Sequence, residues 1–358
     1  MSKLGTFLKR KNIEFSAKRY GIDALSAMAQ GLFCSLLIGT IIKTLGQQLG
    51  AQLLIDIGTY AMAISGPAMA VAIGYALKAD PMVLFSLAAV GWAANAEGGA
   101  GGPLAVLIIA IVAAECGKMV SKETKVDILV TPAVTILVGV ALAKLIAPPI
   151  GMAASKFGDL IYIATELQPF WMGITVSVLV GIALTLPISS AAICSVLGLV
   201  GLAGGAAVAG CCAQMVGFAV MSFKENRCGG LVSQGLGTSM LQMPNIVKNP
   251  LIWIPPTLAS AITGPLATCV FKLQMNGAPI NSGMGTCGLC GPIGVWTGWI
   301  APSEKALEKG ISAISPATMD WLGLLLICII IPAILSFIFC QILRKIGWIK
   351  EGDLKLAA

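Results

Sequence analysis

The sequence predicts an all-α membrane protein with about ten transmembrane helices and two re-entrant hairpins. Three observations predict it. The 358 residues are 57% hydrophobic and 11% charged, with a mean hydropathy of +0.91. Soluble domains carry about 25% charged residues, so this chain cannot clothe a water-facing surface and must have lipid as a second solvent. Its apolar residues fall into long charge-free runs, and two further uncharged stretches are too rich in Gly, Pro and amides to be plain helices.

Residues 1–20 carry Lys3, Lys9, Arg10, Lys11, Lys18 and Arg19 against Glu14, with Leu4, Phe7, Leu8, Phe15 and Tyr20 interspersed. The pattern predicts an amphipathic helix on the inner leaflet; the alternative is a frayed basic tail. Charge-free runs follow at 24–42, 57–77, 81–96, 98–114, 128–143, 167–223, 251–271 and 321–343. A crossing helix needs about 20 residues. Residues 167–223 exceed one crossing, and Pro187, Gly198 and the Gly201, Gly204, Gly205, Gly210 cluster divide them into three helical pieces, giving about ten crossings in all. An even count places both termini on one side. Basic residues at the two termini, at Lys118, Lys122 and Lys125, and at Lys224 and Arg227 assign that side to the cytoplasm. Lys43, Lys78, Asp80 and Glu115, at span ends, are expected at the interface.

The net charge of +7 sits between apolar runs and at the termini, which suits an anionic membrane surface rather than nucleic acid. There is no histidine, which removes phosphohistidine carriers, His–metal sites and Ser–His catalysis. Most of the eleven cysteines lie within apolar runs, where a thiol behaves as a small hydrophobe. The Cys287-Gly-Leu-Cys290 pair has no second pair or His to complete a zinc site, so packing is its expected role. No catalytic residue, cofactor or metal is expected.

Residues 228–247 (CGGLVSQGLGTSMLQMPNIV) and 273–303 (LQMNGAPINSGMGTCGLCGPIGVWTGWIAPS) are the irregular stretches, the second with seven glycines. Non-helical backbone at membrane depth must be buried in protein or line a cavity, since lipid satisfies neither N–H nor C=O. Transporters build substrate sites from such broken elements. Gln234, Thr238, Gln242 and Asn245 are spaced as one helix face, with Ser239 beside them. Amides and hydroxyls that both donate and accept suit a hydroxyl-rich ligand; the competing role is interhelical bonding. Asn281, among glycines that let backbone approach closely, joins the same candidate site. Glu97, in Asn95-Ala-Glu97-Gly-Gly, is either a solvated turn residue or, if buried, an acceptor or proton carrier.

The stretch Ile246-Val-Lys-Asn249-Pro250-Leu-Ile-Trp-Ile-Pro-Pro256, with QGLGTSMLQMPNI, Gly264-Pro265 and GMGTCGLCGP, resembles the membrane (IIC) subunits of the bacterial sugar phosphotransferase system, in particular a divergent PfoR-like branch. The resemblance spans about Ala24 to Trp348. It implies a IIC-like fold and a homodimer in the bacterial inner membrane. An N-terminal scaffold half would occupy 21–166, a substrate-binding half 167–348 and a cytoplasmic tail 349–358. It further implies translocation of a small hydroxyl-rich solute, a sugar or derivative, with phosphorylation by separate IIB and IIA subunits. The chain departs from the better-known members, which place a His and a Glu at the sugar: it has no His, and the position expected for the Glu falls near Thr238 or Ser239. A non-transporting sensor with this fold, or a transporter independent of phosphorylation, therefore stand as alternatives.

Overall fold

The charge-free runs fold as helices, and no strand longer than a single bridge occurs among the described residues, 3–356 of this computed structural model. The extreme ends of the expected interfacial helix and tail, residues 1–2 and 357–358, lie outside the described residues. The chain divides into two units, Met1–Ala154 and Ser155–Ala358. The division falls within one long helix, ahead of the boundary at 166/167 that the sequence suggests.

In the first unit, α1 spans Lys3–Arg10. The helix expected over residues 1–20 stops there because Asn12 turns the chain through the left-handed region (φ 54°), and residues 13–16 are not helical. A continuous helix, α2, covers Arg19–Leu49, followed by α3 (Gln52–Ala63) and α4 (Ser65–Ala76), which meet at a 49° bend. Next come α5 (Pro81–Gly98) and α6 (Gly102–Val120), separated by one turn in which Gly99 has φ +49°. Gly102 lies against Asn95 and Gly117 against Val83, so the two helices fold back on each other as an antiparallel pair. The 39-residue α7 (Asp127–Thr165) runs for roughly 58 Å at 1.5 Å per residue and leads into the second unit.

Arg19–Leu49, Asp127–Thr165, Gly201–Met221 and Thr318–Ile346 are each long and apolar enough to cross a membrane. The apolar stretch Pro81–Val120 is the α5–α6 hairpin of 18 and 19 residues, and the bent α3–α4 pair together makes a further candidate. The run 167–223 does split into three pieces, α8 (Pro169–Thr185), α9 (Ser190–Val196) and α10 (Gly201–Met221). The middle piece corrects the sequence expectation. Seven residues of helix reach about 10 Å, far short of the roughly 30 Å hydrocarbon core, so α9 is a break between two long helices and not a crossing.

The second unit continues with α11 (Phe223–Val232), α12 (Met243–Lys248), α13 (Ile254–Pro265), α14 (Cys290–Ile300), α15 (Glu304–Glu308) and α16 (Thr318–Ile346). Its axis is α10, buried almost throughout and packed by α8, α13 and α16. Both irregular stretches are broken as expected. Residues 233–253 pass through a π turn, extended Thr238 and two 3-10 turns. Residues 272–289 are non-helical apart from short turns and are tied to the α8–α10 break. There, Ser190 Oγ donates to Gly283 O (2.7 Å), Ser282 Oγ donates to Leu199 O (2.7 Å), and Gly201 and Met275 exchange backbone bonds. Their polar backbone is thus satisfied by protein, as a membrane interior demands.

Charged side chains group the polar ends within each unit. Arg10 and Lys11 both pair with Glu123, and Lys122 pairs with Asp80 at 2.6 Å. Lys122 and Ser121 hold the Asp80 carboxyl below its ordinary pKa. In the second unit Lys224 pairs with Glu351, and Arg344 with Glu225 at 2.5 Å. Glu115, near the end of α6, is buried within the protein. Its Oε2 accepts from Lys118 Nζ at 2.8 Å and its Oε1 from Tyr20 Oη at 3.0 Å. Lys118 also donates to Asn12 O (2.8 Å) and Leu77 O (3.0 Å), closing the end of α4.

A buried pair broken on one side leaves an uncompensated charge, at a cost of about 3–5 kcal/mol, whereas replacing both charges is often neutral. Lys118→Ala therefore lowers stability by about 3–5 kcal/mol, and the Glu115→Gln/Lys118→Met double variant restores most of it. Unfolding of the purified variants in detergent checks this, and a single variant no worse than the double contradicts it.

Candidate functional site

The site rests on backbone contact between helices. At Gly210, midway along α10, a Cβ atom would lie 1.8 Å from Ser177 O on α8; at Gly264 on α13 it would lie 2.0 Å from Gly173 O. Ser177 Oγ donates to Ser260 O (2.7 Å) and Ser260 Oγ to Gly210 O (3.3 Å), stitching the three helices together. Small residues with hydroxyl cross-bonds are how helices pack closely where lipid supplies no hydrophobic drive. The packing brings one end of α8, the start of α13 and the second half of α10 to a common point.

Gln214 sits at that point, fully buried. By helical rise it lies roughly 20 Å from the start of α10 and 10 Å from its end. Its Oε1 accepts from Trp253 Nε1 (2.9 Å) and, at 3.4 Å, from Thr185 Oγ1; its Nε2 donates to Thr257 Oγ1 (3.2 Å). Thr185 Oγ1 is in turn 2.8 Å from Ser239 Oγ. The five side chains come from the last residue of α8, from α10, from the break between α11 and α12, from the 3-10 turn 250–253 and from the first turn of α13. All are neutral, and all but the indole both donate and accept.

Among the sequence-predicted residues, Ser239 alone is bonded into this cluster. The single helix face expected for Gln234, Thr238, Gln242 and Asn245 does not form, because Thr238 is extended (φ −159°, ψ 145°) and interrupts the helix. Thr238 instead caps the following turn, its Oγ1 accepting from Met240 N at 3.1 Å. The three amides meet by folding over the break. Gln242 Nε2 donates to Gln234 Oε1 and Asn245 Nδ2 to Gln242 Oε1, both at 2.8 Å, while Gln234 Nε2 donates to Ser222 Oγ (2.8 Å) and Gly230 O (2.9 Å).

Asn281 lies in the other irregular stretch, half-buried against Gly294. Glu97 belongs to the first unit, paired with Lys144 at 2.5 Å and about one-third exposed. Cys287 and Cys290 are buried and not joined in a disulfide, and no group of three His, Cys, Asp or Glu side chains suited to a metal occurs among the described residues.

Sequence reasoning missed Thr185, Gln214, Trp253 and Thr257 as site members. The available signal was Gln214 itself, the one amide within the apolar run of α10, since polar side chains at membrane depth tend to be functional.

Long apolar helices, a close-packed small-residue core and a closed polar cluster at converging helix breaks define a polytopic helical membrane protein of the transporter type. The family model described as phosphotransferase system, EIIC matches residues 22–356. The chain belongs to that family. Comparison with curated proteins found no match.

The geometry predicts that Gln214 and Trp253 are energetically coupled. Leaving a buried partner unsatisfied costs about 1–3 kcal/mol, so Gln214→Leu destabilises by that amount. Its cost shrinks in a Trp253→Phe background, where no indole donor is stranded. A double-mutant cycle on unfolding midpoints reads the coupling, and strictly additive effects contradict the assignment.

Proposed function

We propose that the chain is the permease component of a phosphotransferase system and carries a neutral, hydroxyl-rich solute, a sugar or sugar derivative, held by Ser239, Thr185, Gln214, Thr257 and Trp253. The observation that carries this reading is the neutral cluster on Gln214 within the apolar α10, where the end of α8, the break at Ser239 and the start of α13 meet. Solute hydroxyls exchange there with protein hydroxyls and amides that already donate and accept, so capture conserves the number of hydrogen bonds. The half-buried Trp253 indole adds an apolar face beside a polar tip, the combination that suits a sugar ring.

The cluster supplies no carboxylate or imidazole to take a proton from a solute hydroxyl. Phosphorylation of the solute then falls to separate IIB and IIA chains acting from the cytoplasm, with this chain confined to binding and translocation. The same reading puts the termini on the cytoplasmic side of the inner membrane and a homodimer in the bilayer. Support for the sidedness comes from the basic N-terminal segment gathered with the Lys122 loop in one unit, and from the tail gathered with Lys224 in the other. Gln234, Gln242 and Asn245 frame the site by fixing the break that presents Ser239. Asn281, in the same unit, is read as a contact made at another stage of the transport cycle.

Uptake of radiolabelled hexoses, pentitols and hexitols into proteoliposomes, with and without phosphoryl-transfer proteins, tests the proposal. Saturable uptake of at least one of these solutes is expected, reduced tenfold or more in Ser239→Ala and Gln214→Ala variants that remain folded. Binding without accumulation points instead to a sensor. Uptake indifferent to both substitutions removes the site.

A further inference from the structure

After α16 the chain does not leave the second unit. Trp348–Leu356 lies along the broken element 222–249 and is held by four side-chain amides. Asn226 Nδ2 donates to Leu354 O (2.8 Å) while Leu356 N donates to Asn226 Oδ1 (2.9 Å). Gln242 Nε2 donates to Leu354 O and Asn245 Nδ2 to Lys355 O, both at 2.9 Å. Asn249 Nδ2 donates to Trp348 O (3.0 Å) and to Asp353 Oδ2 (2.8 Å). Leu354 is fully buried and Ile349 nearly so, whereas Lys350, Glu351, Gly352 and Lys355 face outward.

Nearly all of these bonds read backbone and not side chains. Asn226 takes the carbonyl of one residue and the N–H of the next but one, as a neighbouring β-strand would. A Gln or Asn side chain has two donor hydrogens, and in Gln242 and Asn245 they are divided: one serves the element itself, through Gln234 Oε1 and Gln242 Oε1, and one serves the tail. The element therefore keeps its internal amide chain when the tail is absent, and the freed hydrogens face the side on which charged residues gather. Gly347 opens the segment and Gly352 turns the chain within it, with φ +86° and +92° at residues free of the Cβ penalty. Its charge contact, Lys224 with Glu351, is exposed on both sides and so contributes little.

We propose that this amide row is a docking groove for extended peptide backbone, that its occupant is the chain's own segment Gly347–Leu356, and that docking is a releasable latch on the element carrying Ser239. Docked, the tail immobilises residues 222–249. Released, it lets that element move while α10 and α13 stay packed. The latch stands independently of the solute reading; only its consequence for transport rests on it.

Hydrogen exchange on the full-length protein in detergent tests the latch without any solute. Deletion of residues 353–358, which keeps Ile349 and the end of α16, should accelerate exchange across 222–249 tenfold or more and leave 201–221 and 254–265 unchanged. Asn226→Asp, which replaces the donor with a carboxylate facing Leu354 O, should do the same. A synthetic peptide of residues 353–358, the part removed, added to the truncated protein, should restore protection saturably. Unchanged exchange in 222–249 would overturn the proposal. So would an equal rise through α10 and α13, which marks a general structural prop, or a peptide that restores nothing.

Discussion

Three helices of the second unit touch through their backbones at Gly210, Ser177, Ser260 and Gly264, and every feature of the candidate site follows from that contact. A Cβ at Gly210 would fall 1.8 Å from a carbonyl oxygen, a distance no rotamer change relieves. Because α8 and α13 approach α10 this closely, the end of one and the start of the other converge on Gln214. The irregular chain between α10 and α13 then has to fold over the same point. Its polar groups find partners there because no other partners exist at that depth.

The fold was legible where periodicity and composition act locally. Long charge-free runs became helices, and stretches dense in Gly, Pro and amides became breaks, since no regular helix tolerates them without tertiary compensation. Local reasoning failed where one residue overruled a pattern. The 4, 4, 3 spacing of Gln234, Thr238, Gln242 and Asn245 looks helical, yet extended Thr238 breaks it, and the amides assemble by a fold that spacing does not describe. Likewise three apolar pieces in 167–223 suggested three crossings, but the middle one is a seven-residue turn of helix.

The members of the Gln214 cluster are separated by up to 72 positions, from Thr185 to Thr257, and no local signal links them. The tail was equally hidden. Its grip on Asn226 and Asn245 joins positions 110 or more apart, and the bonds go to backbone, which leaves no trace in residue identity. What the sequence did carry was the inventory: amides and hydroxyls concentrated in one stretch of an apolar chain without histidine. Their division of labour, Ser239 toward the buried cluster and Gln242 and Asn245 toward the tail, is a product of tertiary structure.

The most direct test of this account is the effect of one methyl group at the helix contact. Overpacking a filled core typically costs about 1–3 kcal/mol and occasionally more. Because the clash at Gly210 is with backbone, Gly210→Ala should fall at or beyond the upper end. Gly229→Ala, with open space around the same atom, serves as the control. Thermal unfolding of the two purified variants decides the matter: Gly210→Ala is expected to lose the cooperative transition of the second unit or shift it sharply downward, while Gly229→Ala matches the parent. Equal stability of the two variants would contradict it.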